Sequence, residues 1–462
     1  MLFESTRGGV SDVKFDEVLL SAMAKDGGLY VPQNLPKLSF KDLQALKGKN
    51  YKELASELLP YLLGDQIPKH VIQEIVDDAY GSFHHNAIAP LKQLDHNLWL
   101  MELFHGPTIA FKDFALQFLG RILDHVLKQK GNQAVIIGAT SGDTGSAAIE
   151  AVKDRDNIKL YMLHPKGRVS DVQRKQMTTV HADNITNLAI NGSFDDCQAM
   201  VKALLNDKEL NEKDYVTAVN SINWARIAAQ VIYYFHAGLN LGISETKFNF
   251  VVPTGNFGNV YAGHIARSMG LPINKLIIGS NRNDIITRFF ETGKMEAQNV
   301  EPSLTPSMDI QISSNFERLL FELFDRDGKQ VKQLMNDFKV HGFYEVSEEI
   351  LATAKSLFDA YRVSDERTIE VIQETFDQTG EVLDPHTAIG VEAANVNKKN
   401  STIPTIVLGT AHPAKFPETV KKAIGCQPAL PIYLDHIMTG EEKVFEMEND
   451  IEKLHKFIIE GQ

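Results

Sequence analysis

Short apolar segments alternate with amphipathic helical segments along most of this 462-residue chain. The apolar segments have the length of strands and are NLWLMELF (97–104), AVIIGA (134–139), IKLYML (158–163), FNFVV (248–252), KLIIG (275–279) and TIVLG (405–409). Strands that alternate with helices build parallel sheets, because a parallel pair needs a long crossover connection. The sequence therefore predicts an α/β fold in which parallel or mixed sheets are flanked by helices.

Other regions are predicted to be mostly helical. Within residues 1–90, which look like a small helical N-terminal unit, FDEVLLSAMAKDGG (15–28) predicts a helix closed by Gly27 and Gly28. Residues 315–400 are polar and rich in helical patterns, and the acidic stretch GEEKVFEMENDIEKLHKF (440–457) also predicts helix.

Composition argues against several classes of function. The 47 Lys and Arg residues against 60 Asp and Glu residues give a net charge of −13, which disfavours nucleic acid and anionic membranes as partners. No apolar run approaches the roughly 18 residues of a membrane helix, and the first residues resemble neither a secretory signal nor a transit peptide. Cys197 and Cys426 are the only cysteines, which excludes a multi-cysteine metal site and leaves one disulfide possible. We expect a cytoplasmic protein.

A lysine stands at the start of a predicted helix in HGPTIAFKDFALQFLG (105–120). The apolar side chains that follow have the spacing of one buried stripe, with Asp113 placed to cap the helix and Gly131 to end it. Lys112 is expected just outside the helix N-terminus, where Phe111 shields one side and lowers the cost of a neutral amine. Taken alone, Lys112 is better explained as a solvated surface lysine than as a reactive one.

The segment TSGDTGS (140–146) forms a glycine-bearing loop between a predicted strand and a predicted helix. Ser141, Asp143 and Thr144 crowd hydrogen-bonding groups at the helix start, and α/β folds bind ligands in such loops. Ordinary capping of the helix is the alternative interpretation.

A second loop of this kind is PTGNFGN (253–259). It offers flexible turns and backbone N–H groups at the positive end of a helix, which suits a phosphate group. The loop matches neither the dinucleotide-binding pattern nor the P-loop pattern, so those ligands are disfavoured, and a plain turn is the alternative. The residues concerned are Gly255, Asn256, Phe257, Gly258 and Asn259.

The segment TIVLGTAHPAKF (405–416) carries polar groups where a strand ends. The hydroxyl of Thr410 could hydrogen-bond the edge of a heteroaromatic ring, and Lys415 could meet an anion. Taken separately, each of these polar groups is better explained by a structural role in the turn than by ligand binding. The residues are Thr410, His412 and Lys415.

Together these segments resemble the threonine synthases among the fold-type II pyridoxal-phosphate enzymes. The resemblance covers nearly the whole chain, since the family's blocks follow in the family's order: STRG (5–8), DGGLYVP (26–32), HGPTIAFKDFALQFLG, TSGDTGSAA (140–148), PKGRVS (165–170), SINWARI (221–227), PTGNFGN, SSNFER (313–318) and TAHPAKF (410–416). Asp143 stands where related enzymes commonly carry Asn. In this the chain resembles the bacterial and fungal branch of the family.

The resemblance implies a tryptophan synthase β-like fold. It would have an N-terminal unit at 1–96, a large cofactor-binding domain formed by 97–130 and 245–462, and a small α/β domain inserted at 131–244.

The resemblance also implies the cofactor, pyridoxal 5′-phosphate, and the residues that hold it. Lys112 would bind the cofactor covalently and then move protons as a general base and acid. Residues 255–259 would hold the cofactor phosphate, Thr410 would hydrogen-bond the pyridine nitrogen, and Asp143 would lie near the 3′ oxygen. No metal is implied.

The implied reaction converts O-phospho-L-homoserine and water to L-threonine and phosphate. Because the protein has a net negative charge, the substrate's anionic groups need placed donors. The candidates are Ser141 and Thr144 for the carboxylate, and Asn315, Arg318 and Lys415 for the phosphate.

Two alternatives stay open in the sequence. One is a threonine-synthase-like phospho-lyase, which would release 2-oxobutyrate, ammonia and phosphate through the same cofactor. The other is a binding protein without chemistry, against which the lysine and the two loops argue. The sequence implies no obligate protein partner.

Overall fold

The computed structural model describes residues 1–140, 142–205, 207, 209–210, 215–219, 221–242, 247–397 and 402–460. The strands are β1 Phe3–Ser5, β2 Tyr30–Pro32, β3 Leu91–Asp95, β4 Leu98–Glu102, β5 Ala134–Ala139, β6 Ile158–Pro165, β7 Ile185–Asn191, β8 Tyr215–Thr217, β9 Phe248–Pro253, β10 Ile273–Ser280, β11 Lys294–Glu296, β12 Phe343–Glu345, β13 Phe358–Arg362, β14 Thr405–Gly409 and β15 Phe445–Glu448.

The α-helices follow in chain order. They are α1 Phe15–Ser21, α2 Phe40–Leu46, α3 Tyr51–Leu63, α4 Lys69–Gly81, α5 Lys112–Lys130, α6 Asp143–Val152, α7 Asp171–Thr178, α8 Phe194–Leu205, α9 Trp224–Asn240, α10 Gly258–Ser268, α11 Ile285–Thr292, α12 Phe316–Leu323, α13 Gly328–His341, α14 Glu348–Leu357, α15 Asp365–Thr379, α16 Pro385–Asn397, α17 Pro417–Ile424, α18 Asp435–Thr439 and α19 Ile451–Glu460. Short 3₁₀ helices span Pro306–Met308, Pro413–Lys415 and Ile432–Leu434.

Backbone proximity groups the chain into two compact units. Unit 1 comprises Met1–His105 and Ser221–Pro428, and unit 2 comprises Gly106–Asn220 and Ala429–Gln462. In this grouping α5 and the C-terminal strand and helix belong with unit 2, whereas the sequence-based division assigned them to the large domain. That three-part division stays a prediction.

Unit 1 contains a six-stranded sheet with the strand order β13-β10-β9-β14-β4-β3. The pairs are parallel except β3 with β4, which is antiparallel. Apolar side chains of the central strands pack against α15 and α16, with Val251, Ile277 and Val407 fully buried. Because β9 and β14 are parallel neighbours, the loops after Pro253 and Gly409 leave the same edge of the sheet.

Unit 2 contains a five-stranded parallel sheet with the strand order β15-β7-β6-β5-β8. Its core joins Ile137, Leu163 and Leu188 of the sheet to apolar side chains of α8 and α19. Strand β5 ends at Ala139 and leads, through the glycine-bearing loop, into α6. The six strands predicted from the sequence are confirmed in the two sheets.

Two predictions about helix bounds are wrong. Helix α1 ends at Ser21, well before the predicted glycine cap, because Ala22 adopts a positive φ of 56° and Met23 pairs with Leu29 in an antiparallel bridge. The C-terminal acidic stretch is not wholly helical, since β15 pairs with β7 before α19 begins. No helix in the described ranges is both long enough and apolar enough to cross a membrane.

Candidate active site

Lys112 is the first residue of α5 and directly follows the turn 106–111. The prediction that Lys112 lies outside the helix with Asp113 as its cap is wrong. The buried carboxylate of Asp113 instead accepts hydrogen bonds from the backbone N–H (2.8 Å) and the hydroxyl (2.7 Å) of Thr108, which fastens the turn to the helix. A β-carbon at Gly106 would lie 2.5 Å from Asp113 Oδ2, so this close approach requires glycine. Gly131 ends α5 in the left-handed conformation, as predicted.

The side chain of Lys112 is largely shielded from solvent, with 11% of its surface exposed. Its Nζ lies 4.9 Å from the centroid of the Phe111 ring and 3.5 Å from Asp143 Oδ2. A lysine amine is therefore held at the start of a rigid helix, beside an aromatic face and a carboxylate.

Asp143 begins α6 and is held by a side chain that the sequence analysis missed. Gln173 donates from Nε2 to Asp143 Oδ1 at 2.8 Å, while its Oε1 accepts from the Ser170 hydroxyl at 2.9 Å. Because a hydroxyl proton fixes the oxygen end of the amide, the N–H end faces Asp143. The other carboxylate oxygen of Asp143 faces the Lys112 amine.

The backbone of this loop is fixed by Thr140 and Gly142. The Thr140 hydroxyl accepts from the N–H groups of Gly142 (3.0 Å) and Gly145 (2.9 Å). Gly142 has a φ of +144°, and a β-carbon there would lie 2.5 Å from Gln173 Cδ. Thr144 is half-buried in the first turn of α6. Ser141, the other predicted substrate contact of this loop, lies outside the described residues.

The loop 254–257 connects β9 to α10 in unit 1. Phe257 has a left-handed φ of 61°, and its buried ring packs on Phe316 (5.0 Å between centroids) and Phe358 (5.9 Å). Helix α10 has no side-chain cap, and Tyr261 is the first of its residues whose N–H bonds back along the helix, to Phe257 O. The N–H groups of Gly258 and Asn259 precede that bond and supply the positive end of the helix.

Asn259 supplies a buried side-chain donor at the same helix end. Its Oδ1 accepts from the hydroxyls of Tyr233 (2.6 Å) and Tyr234 (2.9 Å) of α9. Burial raises the pKa of both tyrosines well above 10, so both keep their protons and fix the amide orientation. Among the described residues, Asn259 Nδ2 is buried without a hydrogen-bond partner.

Thr410 follows β14 and is 5% exposed. Its backbone N–H donates to the Thr387 hydroxyl at 3.1 Å. The Thr387 hydroxyl in turn donates to the buried carboxylate of Asp384. That carboxylate also accepts from the backbone N–H of His386, at the start of α16. Within the described part of the chain, Thr410 Oγ1 is buried and has no hydrogen-bond partner. The threonine backbone is thus fixed while its hydroxyl is left for a ligand.

His412 and Lys415 lie in the turn after Thr410. The Nδ1 of His412 accepts from the N–H of Ala414 at 3.1 Å, and burial lowers the pKa of His412 to about 4. The imidazole is therefore neutral near pH 7, with its proton on Nε2. Lys415 is fully buried in the 3₁₀ turn.

Asn315 and Arg318, the other candidates for the substrate phosphate, form hydrogen bonds within unit 1. Arg318 is fully buried and donates to backbone carbonyls of Tyr30 and Ile222 and to Asn315 Oδ1. Asn315 donates to the carbonyl of Asn256 in the loop. These donors are already engaged within unit 1, so neither residue is kept among the proposed substrate-phosphate ligands.

The predicted site residues thus form two described groups. In unit 2, Lys112 and Asp143 lie together, with Thr144 in the next position of α6. In unit 1, the loop 255–259 lies beside Asn315 and Arg318, and Thr410 follows a neighbouring strand. The sequence analysis missed Gln173, Tyr233, Tyr234, Thr387 and Asp384. For Asp384 and Thr387, the helix-start sequence DPHT (384–387) was an available signal.

Comparison with known proteins assigns the chain to a family. Three family models match, described as threonine synthase N terminus (residues 2–80), pyridoxal-phosphate dependent enzyme (84–337) and threonine synthase, C-terminal (387–458). The threonine synthase of Pseudomonas aeruginosa is 50% identical over 459 residues, which cover 99% of this chain and 98% of that protein. The chain belongs to the threonine synthase family.

Members from bacteria and fungi show the same relationship. The threonine synthase of Schizosaccharomyces pombe is 40% identical over 98% of this chain and 97% of its own length. The crystal structure of pyridoxal-phosphate-bound threonine synthase from Brucella melitensis has a TM-score of 0.98 and 47% identity, covering 100% of this chain and 99% of that one. The family's enzymes are fold-type II lyases that act on a small molecule, and the cofactor here is pyridoxal 5′-phosphate.

The residues present fit this cofactor. A shielded lysine amine suits its aldehyde, and an uncapped helix N-terminus with the unpartnered donor of Asn259 suits its phosphate. The buried hydroxyl of Thr410 suits the ring nitrogen. Each group offers the polar chemistry that one end or edge of the cofactor requires.

Proposed function

We propose that the chain converts O-phospho-L-homoserine and water to L-threonine and phosphate, with Lys112 as its catalytic residue. The observation that carries the assignment to Lys112 is the position of its amine, at a helix start and 3.5 Å from Asp143 Oδ2, in a chain of this family. We further propose that residues 255–259 hold the cofactor phosphate and that Thr410 hydrogen-bonds the pyridine nitrogen.

When bound, the cofactor supplies an electron sink for the negative charge that forms when the substrate loses its α proton. The neutral hydroxyl of Thr410, unlike a carboxylate, does not stabilise a protonated ring nitrogen. The ring therefore withdraws electrons less strongly. Asp143 is proposed to lie near the 3′ oxygen of the cofactor, where its Oδ1 stays fixed by Gln173.

Lys112 Nζ is proposed to carry protons between three carbons of the substrate. Removal of the α proton and then of a β proton makes the γ phosphate a leaving group. After the phosphate has left, protonation at Cγ, attack of water at Cβ and return of a proton to Cα give threonine. One amine on a rigid helix can reach neighbouring carbons in turn, and its contact with Asp143 holds it in place between transfers.

The substrate's anionic groups are assigned more narrowly than the sequence allowed. We retain Thr144 for the carboxylate, since it lies in the first turn of α6, and Lys415 for the phosphate, since it is a cation in the turn that follows Thr410. Ser141 is kept with Thr144 as a prediction. The reaction is proposed to take place in the cytoplasm, where the cysteines Cys197 and Cys426, which are both free, stay reduced.

The experiment that tests the assignment of Lys112 is reduction of the purified enzyme with borohydride, followed by peptide mass spectrometry. The cofactor should be recovered on the peptide that contains Lys112. In Lys112→Ala the label should disappear and turnover should fall by at least about a thousandfold, because the covalent anchor and the proton carrier are lost together. Label on another lysine, or wild-type turnover in Lys112→Ala, contradicts the proposal.

Product analysis tests the reaction separately. The enzyme supplied with phosphohomoserine should release threonine and phosphate in equal amounts. Release of 2-oxobutyrate and ammonia without threonine would assign the chain to the phospho-lyase alternative, while leaving the role of Lys112 intact.

A further inference from the structure

Arg318 is a fully buried cation in unit 1. Its guanidinium donates to the carbonyl of Tyr30 from Nε (3.0 Å) and Nη2 (2.9 Å), to the carbonyl of Ile222 at 2.7 Å, and to Asn315 Oδ1. Burial lowers the pKa of Arg318 to about 10, so the group is still charged at neutral pH. A buried charge is costly to desolvate, and an apolar side chain of similar volume would fill this space at lower cost. Packing alone therefore does not explain an arginine here.

The contact with Asn315 gives Arg318 a specific effect. A guanidinium only donates hydrogen bonds, so the end of the Asn315 amide that faces it must be the oxygen. The NH₂ end of the amide then faces the carbonyl of Asn256, to which it donates at 2.9 Å. The backbone N–H of Asn315 donates to the same carbonyl at 3.2 Å. Arg318 thereby fixes which way the Asn315 amide points.

Two backbone carbonyls of the loop 254–257 accept hydrogen bonds from Asn315 and Ser313. Asn256 O accepts both donors of Asn315, and Gly255 O accepts the Ser313 hydroxyl at 2.8 Å. The C=O and the following N–H of a trans peptide point in opposite directions, and the described chain has no cis peptide bond. Anchoring these two carbonyls therefore aims the N–H groups of Asn256 and Phe257 away from Ser313 and Asn315.

We propose that Arg318 is a positioning residue for the cofactor phosphate, acting through Asn315 on the peptide group between Asn256 and Phe257. The proposal rests on the assignment of residues 255–259 to the phosphate. Arg318 touches neither cofactor nor substrate in this scheme, but it directs the N–H group of Phe257, one of those that receive the phosphate. The block SSNFER, at 313–318, supplies both the anchors and the side chain that orients one of them.

The deciding variant is Asn315→Asp. The aspartate keeps its size and its contact with Arg318, but it presents an oxygen where the amide donated to Asn256 O. Apoenzyme stability should hold, since the new carboxylate pairs with the buried guanidinium. The dissociation constant of pyridoxal 5′-phosphate for the apoenzyme should rise about ten- to hundredfold, as expected for weakening one or two hydrogen bonds to a charged group. The ³¹P resonance of the bound cofactor should shift.

Arg318→Met should raise the same dissociation constant, because the Asn315 amide can then turn. The matched control is Arg326→Met. Arg326 also donates to a carbonyl of strand β2, that of Pro32 at 2.6 Å, but it has no hydrogen bond to Asn315. It should destabilise the apoenzyme and leave the dissociation constant within about twofold of wild type.

Two results would overturn the proposal. One is a dissociation constant within about twofold of wild type in Asn315→Asp; the other is an equal rise in Arg326→Met, which would reduce the effect to general packing. Asn259→Ala separates this failure from failure of the phosphate assignment. If Asn259→Ala raises the constant while Asn315→Asp does not, only the role of Arg318 falls; if neither does, the phosphate lies elsewhere.

Discussion

Asn259 Nδ2 and Thr410 Oγ1 are among the side-chain atoms of unit 1 that are buried without a hydrogen-bond partner among the described residues. Asn259 Nδ2 faces away from two tyrosine hydroxyls, and Thr410 Oγ1 belongs to a threonine whose backbone is fixed by Thr387. Leaving such a group unsatisfied costs about 1–3 kcal/mol. A ligand that completes both hydrogen bonds, as proposed for the cofactor, would recover that free energy.

Thr410→Val should therefore act in opposite directions on the two forms of the enzyme. Valine has nearly the same shape, so the apoenzyme loses only an unsatisfied hydroxyl and should be as stable as wild type or about 1 kcal/mol more stable. The holoenzyme loses a hydrogen bond to the ring nitrogen, so turnover should fall and the cofactor absorption band should shift. Thermal unfolding of both forms and the absorption spectrum measure these effects.

The matched control for this prediction is Thr368→Val. Thr368 is equally buried, but its hydroxyl donates to Ser364 O at 2.8 Å. Its loss should destabilise apoenzyme and holoenzyme alike, by about 1 kcal/mol. A Thr410→Val apoenzyme that is destabilised as much as Thr368→Val would mean that the Thr410 hydroxyl has a protein partner.

The proposed site residues of each unit lie where parallel strands end and helices begin. Strand β5 gives way to α6 through Gly142, and β9 gives way to α10 through residues 254–257. In both places the turn is tight enough that the backbone conformation decides where the polar groups point. Gly142 is the sharper case, because its φ of +144° disfavours any side chain and its missing β-carbon leaves room for Gln173.

Gly142→Ala should disturb function more than stability alone explains. The added β-carbon would lie 2.5 Å from Gln173 Cδ, so Gln173 must move and its bond to Asp143 is lost. Turnover should fall about tenfold or more, the effect of losing one hydrogen bond to a charged group, and the cofactor spectrum should change.

Gly131→Ala provides the comparison for this variant. Gly131 also has a positive φ, +66°, but a β-carbon there meets nothing within 4 Å. It should lower the free energy of unfolding by about 1 kcal/mol and leave turnover unchanged. Equal turnover in the two alanine variants would show that Gln173 does not orient Asp143 for catalysis.

The predicted elements were those whose pattern is set by their own residues. Uninterrupted apolar runs such as AVIIGA identified central strands, because strands buried on both faces carry few polar residues. Strand β7, ITNLAIN, was missed because Asn187 is buried in it, with its amide donating to Met177 O. Strand β15, FEME, was predicted as helix because its acidic surroundings give no sign of its partner strand β7, which lies 257 residues earlier in the chain.

The same distinction holds for the site. Lys112, Asp143, the loop 255–259 and Thr410 were predicted as site residues because they lie in recognisable blocks at strand and helix ends. Gln173 and the tyrosines of α9 were not predicted, because their contacts are made only in the folded chain. The burial of Arg318 was not predicted either, since a charged side chain in a recognised block gives no sign of whether it will be buried.

At the scale of the whole molecule, several histidines in unit 1 are buried in their neutral form. Burial lowers the pKa of His236, of His264 and of His412 to about 4, against an ordinary value of 6.5. Between pH 6.5 and pH 4 the unfolded chain therefore binds more protons than the folded one, and stability must fall as the pH is lowered through that window. Above about pH 7.5, one unit above the ordinary pKa, these groups are almost entirely neutral in both states and contribute almost no slope.

Tryptophan fluorescence can follow this effect in unit 1. Trp99 and Trp224 are the only tryptophans, and both belong to unit 1, so urea unfolding monitored at these residues reports on that unit. Each unit of pKa difference corresponds to about 1.4 kcal/mol, so lowering the pH from 7.5 to 5.5 should cost about 1 kcal/mol for each of the three histidines. The expected loss of unfolding free energy is thus about 3 kcal/mol.

His236→Phe should remove about a third of that pH dependence. His236 is 7% exposed and packs edge-on against Tyr51 at 5.3 Å between centroids, so phenylalanine suits the space. Between pH 7.5 and 8.5 the variant and the wild type should show the same slope, which separates loss of titration from any change in packing. The prediction is contradicted if His236→Phe loses as much unfolding free energy as wild type between pH 7.5 and 5.5. That result would show that His236 does not titrate on unfolding. The acid sensitivity of unit 1 would then have to arise from other groups.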